Sequence, residues 1–320
     1  MLYNKRMLSY NELRQKPKEF LCATGLHPEE AERLLPNFIK AYRKCYPIEK
    51  TMTGQARQRQ IGGGSKGQLP KFEDKLLFIL VYDKTYPLQT MQGLHFGLSQ
   101  GRTNYWIHHL QPVLRQALAD LGMTPLREGA QFAEASRLQE TAADYLTDGS
   151  DRQIQRPQDQ TEQAEHYSGK QHAHSDKNLL VVNTQSERVV YLSPTEAGKV
   201  HDKKLADQAA LVFPPGATLG KDTGFQGYEP TPLTFQPKKK PKGKELDGCD
   251  KFLNRIFSAI RIKVEHIIAG VKRCRIVKDI LRNTKDNFSD LVMETACALH
   301  NFRVDCRHPI PPFNLLDLCT

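Results

Sequence analysis

The chain has 320 residues, of which 39% are hydrophobic, enough to bury a real core and a length that suits about two domains. Its 46 lysines and arginines against 36 aspartates and glutamates leave a formal net charge of +10, which favours a polyanionic partner, DNA or RNA being the usual one. No apolar run approaches the roughly 20 residues that cross a bilayer and no signal-peptide core opens the chain, so a cytoplasmic protein without a membrane partner is expected. The seven cysteines (Cys22, Cys45, Cys249, Cys274, Cys297, Cys306, Cys319) form no CxxC pair, which gives no sign of a zinc ribbon and suits a reducing compartment.

Residues 9–46 read as two short helices. Ser9 caps the first with Glu12 as its capping-box carboxylate, and His27-Pro28-Glu29-Glu30 opens the second. Residues 51–70, rich in Gln, Arg and Gly around Gly62-Gly63-Gly64, lack an apolar period and read as a flexible basic linker. From Lys71 a helical stripe returns in Phe72, Leu76, Leu77 and Leu80, ending near Tyr86-Pro87. A second helix covers 88–96 and a third 100–121, bent or broken at Pro112. The short turn Gly97-Leu98-Ser99 and the following Arg102, Thr103 and Asn104 give a helix-turn-helix pattern, whose second helix can enter a major groove. An ordinary helical bundle would leave the same residues on a solvated face, and Trp106 is expected in the core.

After Gly122 the pattern changes. Residues 145–154 read as extended, 179–183 and 189–192 as a hairpin around Thr184-Gln185-Ser186-Glu187, and 217–221 and 233–236 as short strands. Helices are expected over 199–212, 248–271 and 288–302, which makes an α/β domain with a mixed sheet.

Three acids stand in unusual settings. Asp148 closes an apolar strand just before Gly149, and Asp222 closes a short strand before Thr223-Gly224. Small neighbours let a ligand approach such carboxylates, although Asp-Gly and Asp-Thr-Gly are also good turn starts. Glu265 lies on the long helix with Arg261 four residues before it and Lys272 seven after it, so that all three fall near one helical face. A surface ion-pair row would share that spacing and contribute only ~0.3–0.5 kcal/mol per pair.

These motifs together resemble the DDE transposases of the insertion-sequence-five group, relatives of the Harbinger elements. Asp148-Gly149-Ser150-Asp151 with Ile154-Gln155-Arg156-Pro157 matches the first block, followed by Tyr167-Ser168-Gly169-Lys170, His174 and Lys177-Asn178. Asp222-Thr223-Gly224-Phe225-Gln226-Gly227-Tyr228 matches the second, and Arg261, Glu265 and Lys272 fit the helical signature. Ser258 replaces a tyrosine common in that signature, and Ser150-Asp151 replaces the usual Thr-Glu. The resemblance implies a ribonuclease-H-like catalytic domain with a mixed sheet, preceded by an all-α helix-turn-helix domain. It further implies that Asp148, Asp222 and Glu265 hold two Mg²⁺ ions (Mn²⁺ substituting), Asp148 bridging them.

The expected partners are double-stranded DNA, both terminal inverted repeats and target, and further copies of the chain assembled on that DNA as a nucleoid-associated homo-oligomer. Arg102, Thr103 and Asn104 would contact DNA from the helical domain, and Arg261 and Lys272 would contact phosphates. The basic run over 238–278 reads as a backbone-contacting surface rather than a simply solvated one. His166, His172, His174 and His201 form no zinc set; His201-Asp202 caps or decorates a helix, and His174 either assists the site or satisfies a backbone carbonyl. The expected organisation is a helical segment 1–50, linker 51–70, helix-turn-helix 71–125, catalytic domain 140–305 and tail 306–320. A domesticated DNA-binding protein would not need the three acids, while an endonuclease without strand transfer would keep them.

Overall fold

The computed structural model describes residues 7–47, 55–56, 69–137, 143–230, 232–238, 240 and 245–308. The expected linker and C-terminal tail fall almost entirely outside these residues.

Three helices open the chain where the sequence suggests two: α1 (Tyr10–Leu13), α2 (Pro17–Thr24) and α3 (Pro28–Cys45). Pro17 begins a helix of its own because proline is tolerated in a first turn and cannot extend a preceding one. The expected Ser9 capping box does not form. The amide of Tyr10 donates instead to Oδ1 of Asp74 (2.9 Å), a partner 64 residues away. At α3 the box is present: Glu30 accepts from the amide of His27 at 2.8 Å and also holds Arg307 near the chain's far end.

Next come α4 (Phe72–Thr85), α5 (Gln89–Phe96), α6 (Gln100–Asp120) and α7 (Gly129–Arg137). The expected break at Pro112 is absent, and α6 runs through it. Leu110, Val113, Leu114 and Ala117 are fully buried there, and packing of that extent outweighs the ~3 kcal/mol cost of an internal proline. Trp106 packs partly buried against the core, as expected.

The sheet is built from β1 (Asp144–Gln153), β2 (Tyr167–Ser168), β3 (Ala173–Asn183), β4 (Arg188–Leu192), β5 (Glu196–Ala197), β6 (Thr218–Lys221) and β7 (Leu233–Phe235). It is mixed: β3 runs antiparallel to β1 and β4, whereas β1–β6 and β6–β7 are parallel. Interleaved are α8 (Gln160–His166), α9 (Asp202–Ala209), α10 (Gly248–Val271) and α11 (Phe288–Arg307). This order is consistent with a ribonuclease-H-like domain.

Alternation along β1 divides the molecule. Leu146, with Leu180 and Val182 of β3, faces a core shared with Val264 and Ile267 of α10, α11 and the N-terminal helices. Tyr145, with Leu179 and Val181, faces a second core made with α9, Phe132 and Phe213. The helical part and the sheet therefore share one continuous apolar interior. Cys274 and Cys297 are buried in it as free thiols, and the other described cysteines are free as well. Among the described residues no helix is long and apolar enough to cross a membrane.

Among the described residues the most deeply buried acid lies in that interior. Asp83 of α4 is buried, accepts from Nε2 of Gln111 at 3.1 Å, and has no partner at Oδ1. Burial pushes its carboxyl up to about 7. A carboxyl raised in the folded state contributes most below its unfolded value, and that contribution is lost as pH rises from about 4 to 7. Asp83→Asn keeps the acceptor and cannot ionise. Its stability relative to wild type should rise by roughly 2 kcal/mol between pH 5 and pH 8 in urea unfolding. A gap that stays constant across that range would show that Asp83 is not neutral in the folded protein.

Candidate active site

The site begins with strand register. The parallel pairs Leu146↔Gly220 and Thr147↔Lys221 bring the end of β6 beside the middle of β1, so the next residue of each, Asp148 and Asp222, come side by side. Asp148 lies on the α10 face of β1, two residues from Leu146. Asp222 caps a 3-10 turn over Thr223–Phe225, and its Oδ1 accepts from the amide of Thr223 at 2.7 Å. Both acids line one small cleft with Leu146, Thr147, Gly220 and Arg261.

Helix α10 closes that cleft. Val264, Ile267 and Val271, three, four and seven residues apart, form an apolar stripe buried against the core. Arg261 projects from the same helix and bridges two acids, Nη1 to Oδ1 of Asp222 and Nη2 to Oε1 of Glu265, each at 3.2 Å. Glu265 is exposed and does not line the cleft. Lys272 ends the helix as its C-cap, half-buried. Burial pulls its ammonium below the usual lysine range, while Asp148 and Asp151 pull it back up. Of the cation–acid–cation row, Arg261 pairs with Asp222 and Glu265, and Lys272 interacts electrostatically with Asp148.

Burial also pushes the Asp148 carboxyl up to about 6; the amide of Gly149 counters this, Asp222 and Asp202 reinforce it, and Arg261 opposes it. Adjacent carboxylates with one partly desolvated member are a donor set suited to a hard divalent cation, which would relieve their repulsion. Arg261 supplies part of that neutralisation here. Among the described residues no three acid, histidine or cysteine side chains lie close enough together to hold an ion. The register brings Asp148 and Asp222 together, whereas Glu265 stands off the cleft in an ion pair with Arg261.

Asp202 lies nearer the site than its place at a helix start suggests. His201 caps α9 as expected, its Nδ1 accepting from the amide of Lys203 at 3.3 Å. Asp202 is more than decoration: it lies against Gly149 and Gly224 and pairs with Nζ of Lys177 at 3.1 Å. The small neighbours of the first two acids thus make room for this side chain. A signal existed in the sequence, since both Asp148 and Asp222 are followed within two residues by glycine.

Other sequence candidates separate. Arg102 is exposed and Asn104 half-exposed at the start of α6. Thr103 is fully buried, its hydroxyl donating to the carbonyl of Ser99 at 3.0 Å, so it packs α6 and cannot touch DNA. Ser258 donates to the carbonyl of Asn254 at 2.8 Å within its own helix. His174 packs edge-on against Tyr167, and His166 pairs with Asp176. In the basic run, Lys238 pairs with Asp250, and Lys240 and Lys251 both pair with Glu245; Lys239, Lys242 and Lys244 lie outside the described residues.

Residues 147–301, which span all three acids, match the DDE superfamily endonuclease family. The chain is 27% identical over 241 residues to a protein of Microchaete diplosiphon assigned as transposase for insertion sequence element IS702, covering 74% of this chain and 83% of that one. It is 25% identical over 219 residues to a protein of Streptomyces albus G assigned as transposase for insertion sequence element IS112, covering 68% and 74%. No solved structure matches significantly.

A carboxylate kept for function rather than stability should be dispensable to folding. In metal-free buffer at pH 7.5, Asp148→Asn removes a charge that burial and two neighbouring acids oppose, and should stabilise the protein by roughly 1–3 kcal/mol. Thermal unfolding of variant and wild type decides it, and a lower Tm for the variant would make Asp148 a structural acid.

Proposed function

We propose that this chain, which carries a DDE superfamily endonuclease domain and has insertion-sequence transposases among its homologues, is itself a transposase that cuts and rejoins DNA at the terminal inverted repeats of its element. The observation that carries this reading is the register that sets Asp148 beside Asp222, with Glu265 one ion pair away through Arg261.

Endonucleases of this superfamily use divalent metal ions. We assign Asp148, Asp222 and Glu265 as the residues that would hold them, Asp148 shared between two, with Mg²⁺ as the ion and Mn²⁺ as a substitute. Bound there, the metal would make a water or a 3′-hydroxyl nucleophilic and stabilise the leaving oxygen. The chain's own groups then have defined tasks. Arg261 presents a planar pair of donors that can pass from carboxylates to a phosphate, whose oxygens offer the same two-pronged geometry. Lys272, partly desolvated and within electrostatic reach of Asp148, would add positive charge near the site. Val264, Phe257 and Leu146 wall the cleft and limit water.

Docking is assigned to α5 and α6 as a helix-turn-helix. The tight crossing supports it: a Cβ at Gly93 would stand 2.5 Å from the carbonyl oxygen of Leu98, and Gly97 turns the chain at φ +66°. The crossing leaves Arg102 and Asn104 in the first turn of α6, where side chains can reach base edges. Assembly as a homo-oligomer on paired repeats and membership of the insertion-sequence-five group belong to the same proposal; the latter rests on the Asp222–Tyr228 block and the Arg261, Glu265, Lys272 spacing.

Asp148→Asn, Asp222→Asn and Glu265→Gln should each abolish Mg²⁺-dependent cleavage of repeat DNA while leaving its binding nearly intact, because docking relies on groove and phosphate contacts. Gel-shift and cleavage assays on the same preparations separate the two. Near-normal cutting by Glu265→Gln would remove that residue from the set.

A further inference from the structure

The carboxylate of Asp202 stands between the two segments that carry the first two acids. A Cβ at Gly149 would lie 2.5 Å from its Oδ1 and 3.0 Å from its Cγ, and one at Gly224 would lie 2.8 Å from its Oδ2. Neither glycine has a positive φ, so backbone conformation does not require glycine at either position. The requirement is steric, and one side chain imposes it at both.

Those positions matter because of what precedes them. Gly149 directly follows Asp148 in β1, and Gly224 lies two residues past Asp222 in its turn. Asp202 is in turn held in place. Nζ of Lys177 lies 3.1 Å from its Oδ1, donates to the carbonyl of Val200 at 3.0 Å, and stands 3.7 Å from Oδ1 of Asp151. The Lys177 side chain is only 10% exposed and that of Asp202 22%, so water can replace little of this pairing. Asp202 also opens α9, which packs on the turn after Asp222 and against β3.

We propose that Asp202 is a positioning residue: a spacer clamped by Lys177 that sets the separation of the β1 backbone after Asp148 from the turn after Asp222. Through those backbones it fixes how the two carboxylates present themselves to a shared divalent cation. This rests on reading the site as metal-dependent. Asp202 is not itself a third ligand of the cleft. Successive strand residues point to opposite faces, so Gly149 faces α9 and Asp202 while Asp148 faces α10 and Arg261. Asp202 is also absent from the residues that line the cleft.

Shape and charge make different predictions. Asp202→Asn keeps the planar group and an acceptor for Lys177, whereas Asp202→Ala empties the space between the glycines. Mn²⁺ binding to the full chain, followed by electron paramagnetic resonance of the free ion, reads the site without requiring cleavage. Asp202→Ala should weaken Mn²⁺ binding about tenfold or more, as loss of outer support to ligands generally does, and Asp202→Asn should stay close to wild type. Gly149→Ala should weaken binding in the wild-type background and be tolerated with Asp202→Ala, where its methyl has room.

If Asp202→Ala does not fold, Gly149→Ala and Gly224→Ala test the same spacing from the other side, and normal Mn²⁺ binding by both overturns the proposal. It is equally overturned if Asn is as damaging as Ala, which would make charge at the metal the cause. Wild-type Mn²⁺ affinity in Asp202→Ala would overturn it as well. Protein that shows the expected Mn²⁺ pattern yet cuts no repeat DNA would fault the proposed function and leave the spacer standing.

Discussion

The parallel pairing of β1 with β6 is the constraint on which the rest of the structure depends. Asp148 lies within β1 and Asp222 just past the end of β6; in register at Leu146↔Gly220 and Thr147↔Lys221 the two strands juxtapose two carboxylates that repel. Because side chains alternate across a strand, a slip of one residue would swing Asp148 from the α10 face to the α9 face and remove it from the cleft. Two buried cores, one on each side of β1, hold that register. Burial of Tyr145 in one and Leu146 in the other makes a slip costly, since either would have to exchange places with a polar neighbour.

The electrostatics follow from that juxtaposition. A partly desolvated Asp148 beside Asp222 and Asp202 is a concentration of negative charge in a chain of net charge +10, and the nearest cations are arranged around it. Arg261 spans Asp222 and Glu265, Lys177 spans Asp151 and Asp202, and Lys272 influences Asp148. Among the described lysines near the start of α10, Lys238, Lys240 and Lys251 are paired with Asp250 and Glu245.

Elements with strong local periodicity were legible in the sequence. The long helix α10 spans Gly248–Val271 as its apolar stripe indicates, and the hairpin of β3 and β4 turns where polar residues interrupt two β-branched runs. Elements without an apolar face were not. Helix α8 buries no residue, so nothing but its Asp159 cap marks it, and β2 and β5 are two-residue edge pairings to β3. The site was legible where motifs are local and opaque where contacts are distant. Asp202 meets Gly149 and Gly224 only after the sheet forms, and Asp74 displaces Ser9 as a cap partner from the same kind of distance. Thr103 is a different case: its spacing of 4, 7 and 11 to Ile107, Leu110 and Leu114 already puts it on the buried stripe of α6.

The central claim is that this arrangement of acids cuts and joins DNA. Purified protein incubated with labelled DNA carrying its element's terminal repeats, a target plasmid and Mg²⁺ tests it most directly. The account predicts breaks at the repeat tips and covalent joining of those ends to the plasmid, both lost when the metal is chelated. Intact repeats in the presence of Mg²⁺ and bound protein, or breakage that persists under chelation, would contradict it.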